Sequence, residues 1–119
     1  LLIYTISGSG YVVMDGEYTL VGSGSVVLLD CYQAHTYKAS SQGWEILWMH
    51  IDGPMMRSWF NTLSQSGEPV IQLLPSSYVV ERTLYQILAV FDKQEAVNEA
   101  RLSQLITNVL TELYLARFA

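Results

Sequence analysis

Trp44, Trp48 and His50 fall at positions of one parity in the run Trp44-Glu45-Ile46-Leu47-Trp48-Met49-His50-Ile51. In an extended strand alternate side chains point to the same face of the sheet. One face of this run therefore carries two indoles and an imidazole, with Ile46 between the indoles, and the other carries Leu47, Met49 and Ile51. These side chains suit recognition rather than bond making. An indole gives a flat apolar surface for stacking, and an imidazole donates and accepts hydrogen bonds. His35 and Tyr37, just upstream, add two more polar tips. Apolar walls with a few polar anchors are the usual composition of a small-molecule site. A strand bulky on both faces is not the strand of a sandwich with one wet side. It suits a small barrel whose interior holds packed side chains or one small ligand.

Other chemistries find little in the chain. Two histidines, His35 and His50, with no His-x-His pair, fall short of the three or four protein ligands a metal site uses. Glu45 points away from the tryptophans by strand parity. No Ser, His and acid set has a spacing known from hydrolases, and no nucleophile elbow is present. The Gly-x-Gly elements open hairpins, so they lack the helix N-terminus that a phosphate loop needs. Cys31 is the only cysteine and sits in a loop beside Tyr32, which excludes an intramolecular disulfide and fits a reducing compartment. No catalytic residue, metal or cofactor is expected.

The elements that must position these residues read as strands and turns in the first half and helices in the second. Leu1–Ser7 is a strand, Gly8-Ser9-Gly10 a turn and Tyr11–Met14 a second strand. Asp15-Gly16 is a two-residue hairpin signal. Glu17–Val21 returns, Gly22-Ser23-Gly24 turns, and Ser25–Leu29 is the fourth strand. After a loop from Asp30 to Ala34, His35–Lys38 is a short fifth strand. Ser40–Gly43 is a polar turn and Trp44–Ile51 the sixth strand. Six short strands with regular turns argue for a barrel or sandwich. Pro54, favoured in a first helical turn, opens a helix to about Ser66. Val70–Leu74 is a short apolar segment. Pro75-Ser76-Ser77 gives a helix entrance with a serine cap. Tyr78–Phe91 is a second helix, with Val80, Leu84, Ile87, Leu88 and Phe91 near one face. Gln94–Phe118 is a third, striped by Leu102, Leu105, Ile106, Val109, Leu110 and Leu113 at helical spacing.

A chain of 119 residues is one domain. Half of its residues are hydrophobic and 14% charged, which supplies apolar surface for an interface as well as a core. The formal charge is −5, with six Lys plus Arg and no basic cluster. A surface that binds duplex DNA must neutralise phosphates, so this chain does not do so by itself. No apolar run reaches the length of a membrane span and no signal peptide is visible.

The ordered series Gly-x-Gly, then Gly24-Ser25-Val26-Val27-Leu28-Leu29-Asp30, then His35-Thr36-Tyr37, then Trp44-x-x-x-Trp48-x-His50-x-x-Gly53 resembles the N-terminal sensor domain of AraC-type transcription regulators. The resemblance implies an α+β, mainly β, fold: a small cupin-like antiparallel β-barrel over residues 1–53, followed by C-terminal helices over 54–119 in the same domain. It implies a small effector, often a sugar, bound in the barrel at the positions of Trp48 and Tyr37. Parity extends that set to Ile46, Trp44 and His50, and His35 adds a polar group. Ile46 offers no hydrogen bond, which points to an effector less polar than a sugar. The resemblance also implies a cytoplasmic homodimer formed by helices, here through the Leu102–Leu113 stripe. DNA is then a partner only through a helix-turn-helix domain outside this chain. The chain starts inside a strand pattern and stops inside a helical one, so both ends are expected to be cut. Two other readings stay open: a small cupin enzyme, either an isomerase or metal-dependent, and a cupin-like interaction module with a filled barrel.

Overall fold

Thirteen residues without a break, Leu2–Met14, form the first strand, β1. The computed structural model describes residues 1–33, 35–65, 67–73, 78–92 and 98–118. β2 (Glu17–Val21), β3 (Ser25–Leu28), β4 (Thr36–Met49) and β5 (Val70–Gln72) complete a mainly antiparallel half-barrel sheet, and α1 spans Pro54–Leu63 between β4 and β5. Together with α2 (Val79–Asp92) and α3 (Glu99–Phe118) this is the α+β, cupin-like fold that the sequence predicts. Two compact units are present, Leu1–Leu73 and Leu74–Ala119, so α1 and β5 belong with the sheet.

β1 organises the sheet. Leu2, Ile3 and Tyr4 pair with Leu28, Val27 and Val26 of β3 on one edge and with Met49, Trp48 and Leu47 of β4 on the other. Further along, Gly10–Met14 pair with β2 on the β3 edge. The β1–β2 turn is Asp15-Gly16, with φ of 50° and 79°. Positive φ at both central residues is the hairpin turn whose twist matches that of paired strands, and Asp-Gly is the dipeptide that tolerates it.

Two predicted turns are not chain reversals. Gly8-Ser9-Gly10 lies inside β1, and Ser40–Gly43 lies inside β4. Both flanks of each segment pair antiparallel to the same partner strand, so the chain continues in one direction. The ladder is interrupted instead: Gly8 pairs with Trp44 and Gly10 with Ala39, which leaves Ser40–Gly43 opposite Ser9 alone. The result is a bulge, a device that bends and twists a strand locally. Gly8, at φ 77°, brings its backbone against the Gly43 carbonyl, where a β-carbon would collide. The glycines and serines of these segments thus serve a close backbone approach, and the six short strands predicted become four before α1, of which β1 and β4 are long.

In the first unit, Ile3, Val12, Val21, Val27 and Leu29 form a buried core on one face of the sheet, with Trp44 and Ile46 packed against it. Leu2, Tyr4, Val26 and Leu28 are buried on the opposite face. In the second unit, α2 and α3 pack together. Val80, Thr83, Leu84 and Ile87 of α2 are buried, whereas Leu88 and Phe91, predicted for the same face, are exposed. On α3 the stripe divides as well: Leu105, Val109, Leu110 and Leu113 are buried, and Leu102 and Ile106 are half-buried. The serine cap predicted at Pro75–Ser77 and the Gln94–Val97 start of the third helix lie outside the described residues.

Leu110 is 3% exposed within the chain itself. Leu110→Asp would bury a carboxylate without a partner, a change that costs several kcal/mol. The expected outcome is loss of the helical unit's cooperative melting, read by circular dichroism at 222 nm. Leu110→Met should cost less than about 1.5 kcal/mol.

Candidate functional site

The β1–β4 register builds the site face. Trp48 stands opposite Ile3 and Ile46 opposite Thr5, so both project from the face that carries the core. Tyr37 stands opposite Val12 on that face, further along. Trp44 joins them where the bulge has shifted the ladder.

The six sequence-derived site residues do not form one cluster. His35, Tyr37 and Trp44 are neighbours: the His35 and Tyr37 rings stack at 6.2 Å, and Tyr37 meets Trp44 edge-on at 6.3 Å. Trp48 and His50 form a second pair, edge-to-face at 5.5 Å. Trp48 pairs near the start of β1 and Tyr37 near its end, with Ile46 and Trp44 between them. Among the described residues no ring contact joins the two groups. Trp48 stands opposite Ile3 and Tyr37 opposite Val12, so the two lie well apart along β1. The Ser40–Gly43 segment, read as a turn that would fold one strand back on the next, continues β4 instead.

The indoles differ in role. Trp44 is half-buried, and its Nε1–H donates to Thr5 Oγ1 at 2.9 Å. Thr5 is fully buried. A β-carbon on Gly10 would collide with the Trp44 ring. Gly10 is thus the slot that admits the indole, and Trp44 is wall. Trp48 is 61% exposed and presents its ring to solvent. Tyr37, at 47%, is also accessible. His35 Nδ1 is 3.0 Å from the Gln33 carbonyl, and His50 Nδ1 is 3.7 Å from Cys31 Sγ.

Near His50 the structure shows what the sequence did not reveal. Asp30 Oδ1 accepts the Tyr32 N–H at 3.0 Å, and Asp30 Oδ2 accepts from Arg57 at 2.9 Å. The Arg57 hydrogen bond, helped by the Tyr32 amide, holds the Asp30 carboxyl below its ordinary range, and Asp30 raises Arg57 in turn. The pair ties α1 to the loop after β3. Beside it lies a cavity of about 200 Å3. Nothing in the sequence marks this pairing, because its partners are far apart along the chain. The only signal is that Arg57 and Phe60 stand one helical turn apart, where the guanidinium lies 5.6 Å from the ring centre.

Among the described residues no group of three or more His, Cys, Asp or Glu is placed to hold a metal ion, and no helix is long and apolar enough to cross a membrane. The family model of the AraC-like ligand binding domain matches residues 1–110, and the chain belongs to that family. A comparison with curated proteins finds no match.

Gly10→Ala must push the Trp44 ring out of its slot, at about 1–3 kcal/mol. A lowered melting temperature and a red-shifted tryptophan emission are the expected readings, and Thr5→Val, which leaves a buried indole N–H unpaired, should cost a similar amount. The Asp30–Arg57 contribution follows the sign of a lowered carboxyl pKa. It is fully present above the ordinary value of 3.8 and is lost as pH falls through the lower folded-state value. Asp30→Asn should therefore flatten the acid limb of the melting temperature plotted against pH.

Proposed function

We propose that the chain is the sensor domain of an AraC-type regulator that binds a small uncharged effector, a sugar in the first instance, against Trp48. The observation that carries this reading is the solvent-facing indole of Trp48 on the inner face of the sheet, beside His50. An exposed tryptophan in line with a buried core offers stacking area without the cost of opening the fold. His50 supplies a hydrogen-bonding edge, and Ile46 an apolar floor. The face carries no Lys, Arg, Asp or Glu at positions 37, 44, 46 or 48, which favours an uncharged ligand. In this reading the domain is regulatory, not enzymatic, acts in the cytoplasm, and reaches DNA through a separate domain.

The reading includes a homodimer formed by the helical unit, on a patch other than the Leu102–Leu113 stripe. Tyr114, Leu115 and Phe118 of α3 and Tyr85 and Leu88 of α2 leave large apolar surface in solvent, and the Tyr114 and Phe118 rings lie 4.9 Å apart. Aromatic side chains on an exposed helix face are the usual anchors of a symmetric interface.

Binding is tested by tryptophan fluorescence and calorimetry against a panel of neutral sugars. Trp48→Ala should weaken binding of a recognised sugar at least tenfold, and His50→Ala by several-fold, whereas Tyr37→Phe should leave a monosaccharide's affinity unchanged. Equal affinity for parent and Trp48→Ala proteins would place the site elsewhere. For the dimer, sedimentation at tens of micromolar should give twice the chain mass. Tyr114→Glu with Phe118→Glu should halve it at unchanged helix content, and a monomeric parent would refute the interface.

A further inference from the structure

We propose that the first two turns of α1 are a lid over the cavity at the end of the sheet, hinged at Gly53, anchored at Leu63 and latched by the Asp30–Arg57 ion pair. Met56, Arg57 and Phe60 line the cavity from the helix. Leu2, Leu28 and Leu29 line it from the strands. Leu29 belongs to the inner core, whereas Leu2 and Leu28 are buried on the other face. The cavity therefore lies where the two faces meet, and α1 covers that end.

Little holds the first two turns down. Of the ten residues of α1 only Leu63, in the last turn, is buried. Met56 and Phe60 are half-buried, and Met55 is 73% exposed. The helix has no side-chain N-cap, because Gly53 stands where Ser, Thr, Asp or Asn would accept an orphan N–H. Its first turn also carries no acidic side chain to meet the helix dipole. Residues 50–53, between β4 and α1, form neither strand nor helix. Gly53 sits at φ 132°, a conformation that strains a side chain although the space around it is open. This glycine thus serves backbone rotation rather than a close approach, as a hinge position does.

Against this slack, the Asp30–Arg57 pair ties the turns to the sheet. Asp30, fixed by the Tyr32 amide, has a side chain only 11% exposed. Arg57, on the lid, is 52% exposed, and its guanidinium lies 5.6 Å from the Phe60 ring centre. A latch must bias closure and still release. An exposed ion pair shifts an equilibrium by a factor of about 1.5 to 5 and is screened by salt, so this pair meets both conditions. The partial burial of Met56 and Phe60 adds an apolar contribution to the closed state. Release lets α1 swing about Leu63 and opens the space beside His50, which lies against Trp48. The lid stands whether or not a sugar binds at Trp48.

The test uses thiol reporters in a chain whose own cysteine is removed by Cys31→Ser. Leu28→Cys places one on the cavity wall, and Val12→Cys places another in the core away from the cavity. Both positions are buried, so alkylation by iodoacetamide reads the opening of each. The Leu28→Cys thiol should react about tenfold faster than the Val12→Cys thiol, or more, because the lid opens without the sheet. Arg57→Gln should speed the reaction at Leu28→Cys by about two- to fivefold and leave that at Val12→Cys unchanged. Sodium chloride at about 1 M should have the same effect, measured relative to Val12→Cys. Should Leu28→Cys fail to fold, Leu29→Cys puts the same reporter on the same cavity. Equal rates at wall and core, or an effect of Arg57→Gln that is absent or shared by both positions, would each overturn the lid.

Discussion

The pairing of β1 on both of its edges is the constraint on which the rest of the first unit depends. Leu2, Ile3 and Tyr4 hydrogen-bond to β3 on one side and β4 on the other, so their backbone has no free edge. What covers the two faces is a separate matter, and at this end of the sheet Leu2, Ile3, Tyr4, Val26, Val27 and Leu28 are all buried. Strands buried on both faces read as continuous apolar runs, and Leu1-Leu2-Ile3-Tyr4 and Val26-Val27-Leu28-Leu29 are such runs.

Further along the same ladder the two bulges change the geometry. Opposite Ser9 the β4 strand carries four residues where one would pair, and the small side chains there let Gly8 and Gly43 approach closely. The bulge draws Tyr37 towards Trp44, and Gly10 leaves the volume that the Trp44 indole fills. Wall and recognition surface are thus separated along one strand. Trp44 is anchored by Thr5 and packed on the core, while Trp48, four residues on, has no cover. The same residue type serves packing in one place and offers a free face in the other, and only the local neighbours decide which.

Where β4 ends, the chain reaches a junction of charge, thiol and cavity. Asp30 and Arg57 close the contact between α1 and the loop after β3, and His50 touches both Trp48 and Cys31.

Periodicity and turn chemistry in the sequence determined the fold class, the Asp15-Gly16 hairpin, the parity of Ile46 and Trp48, and the existence of three helices. These are local properties, written in side-chain alternation and backbone preference. Tertiary structure decided the rest. Gly8–Gly10 and Ser40–Gly43 carry the residues of turns, yet whether such a segment reverses or bulges depends on which strand pairs with its flanks, and that partner is distant in sequence. The stripe on α3 was legible, but four of its leucine and valine residues are buried in the chain itself, leaving Tyr114, Leu115 and Phe118 outside. Periodicity identifies an apolar face without naming what covers it. The Asp30–Arg57 pair and the cavity beside it join β3, β4 and α1, and no spacing within any one of those segments encodes where the three meet.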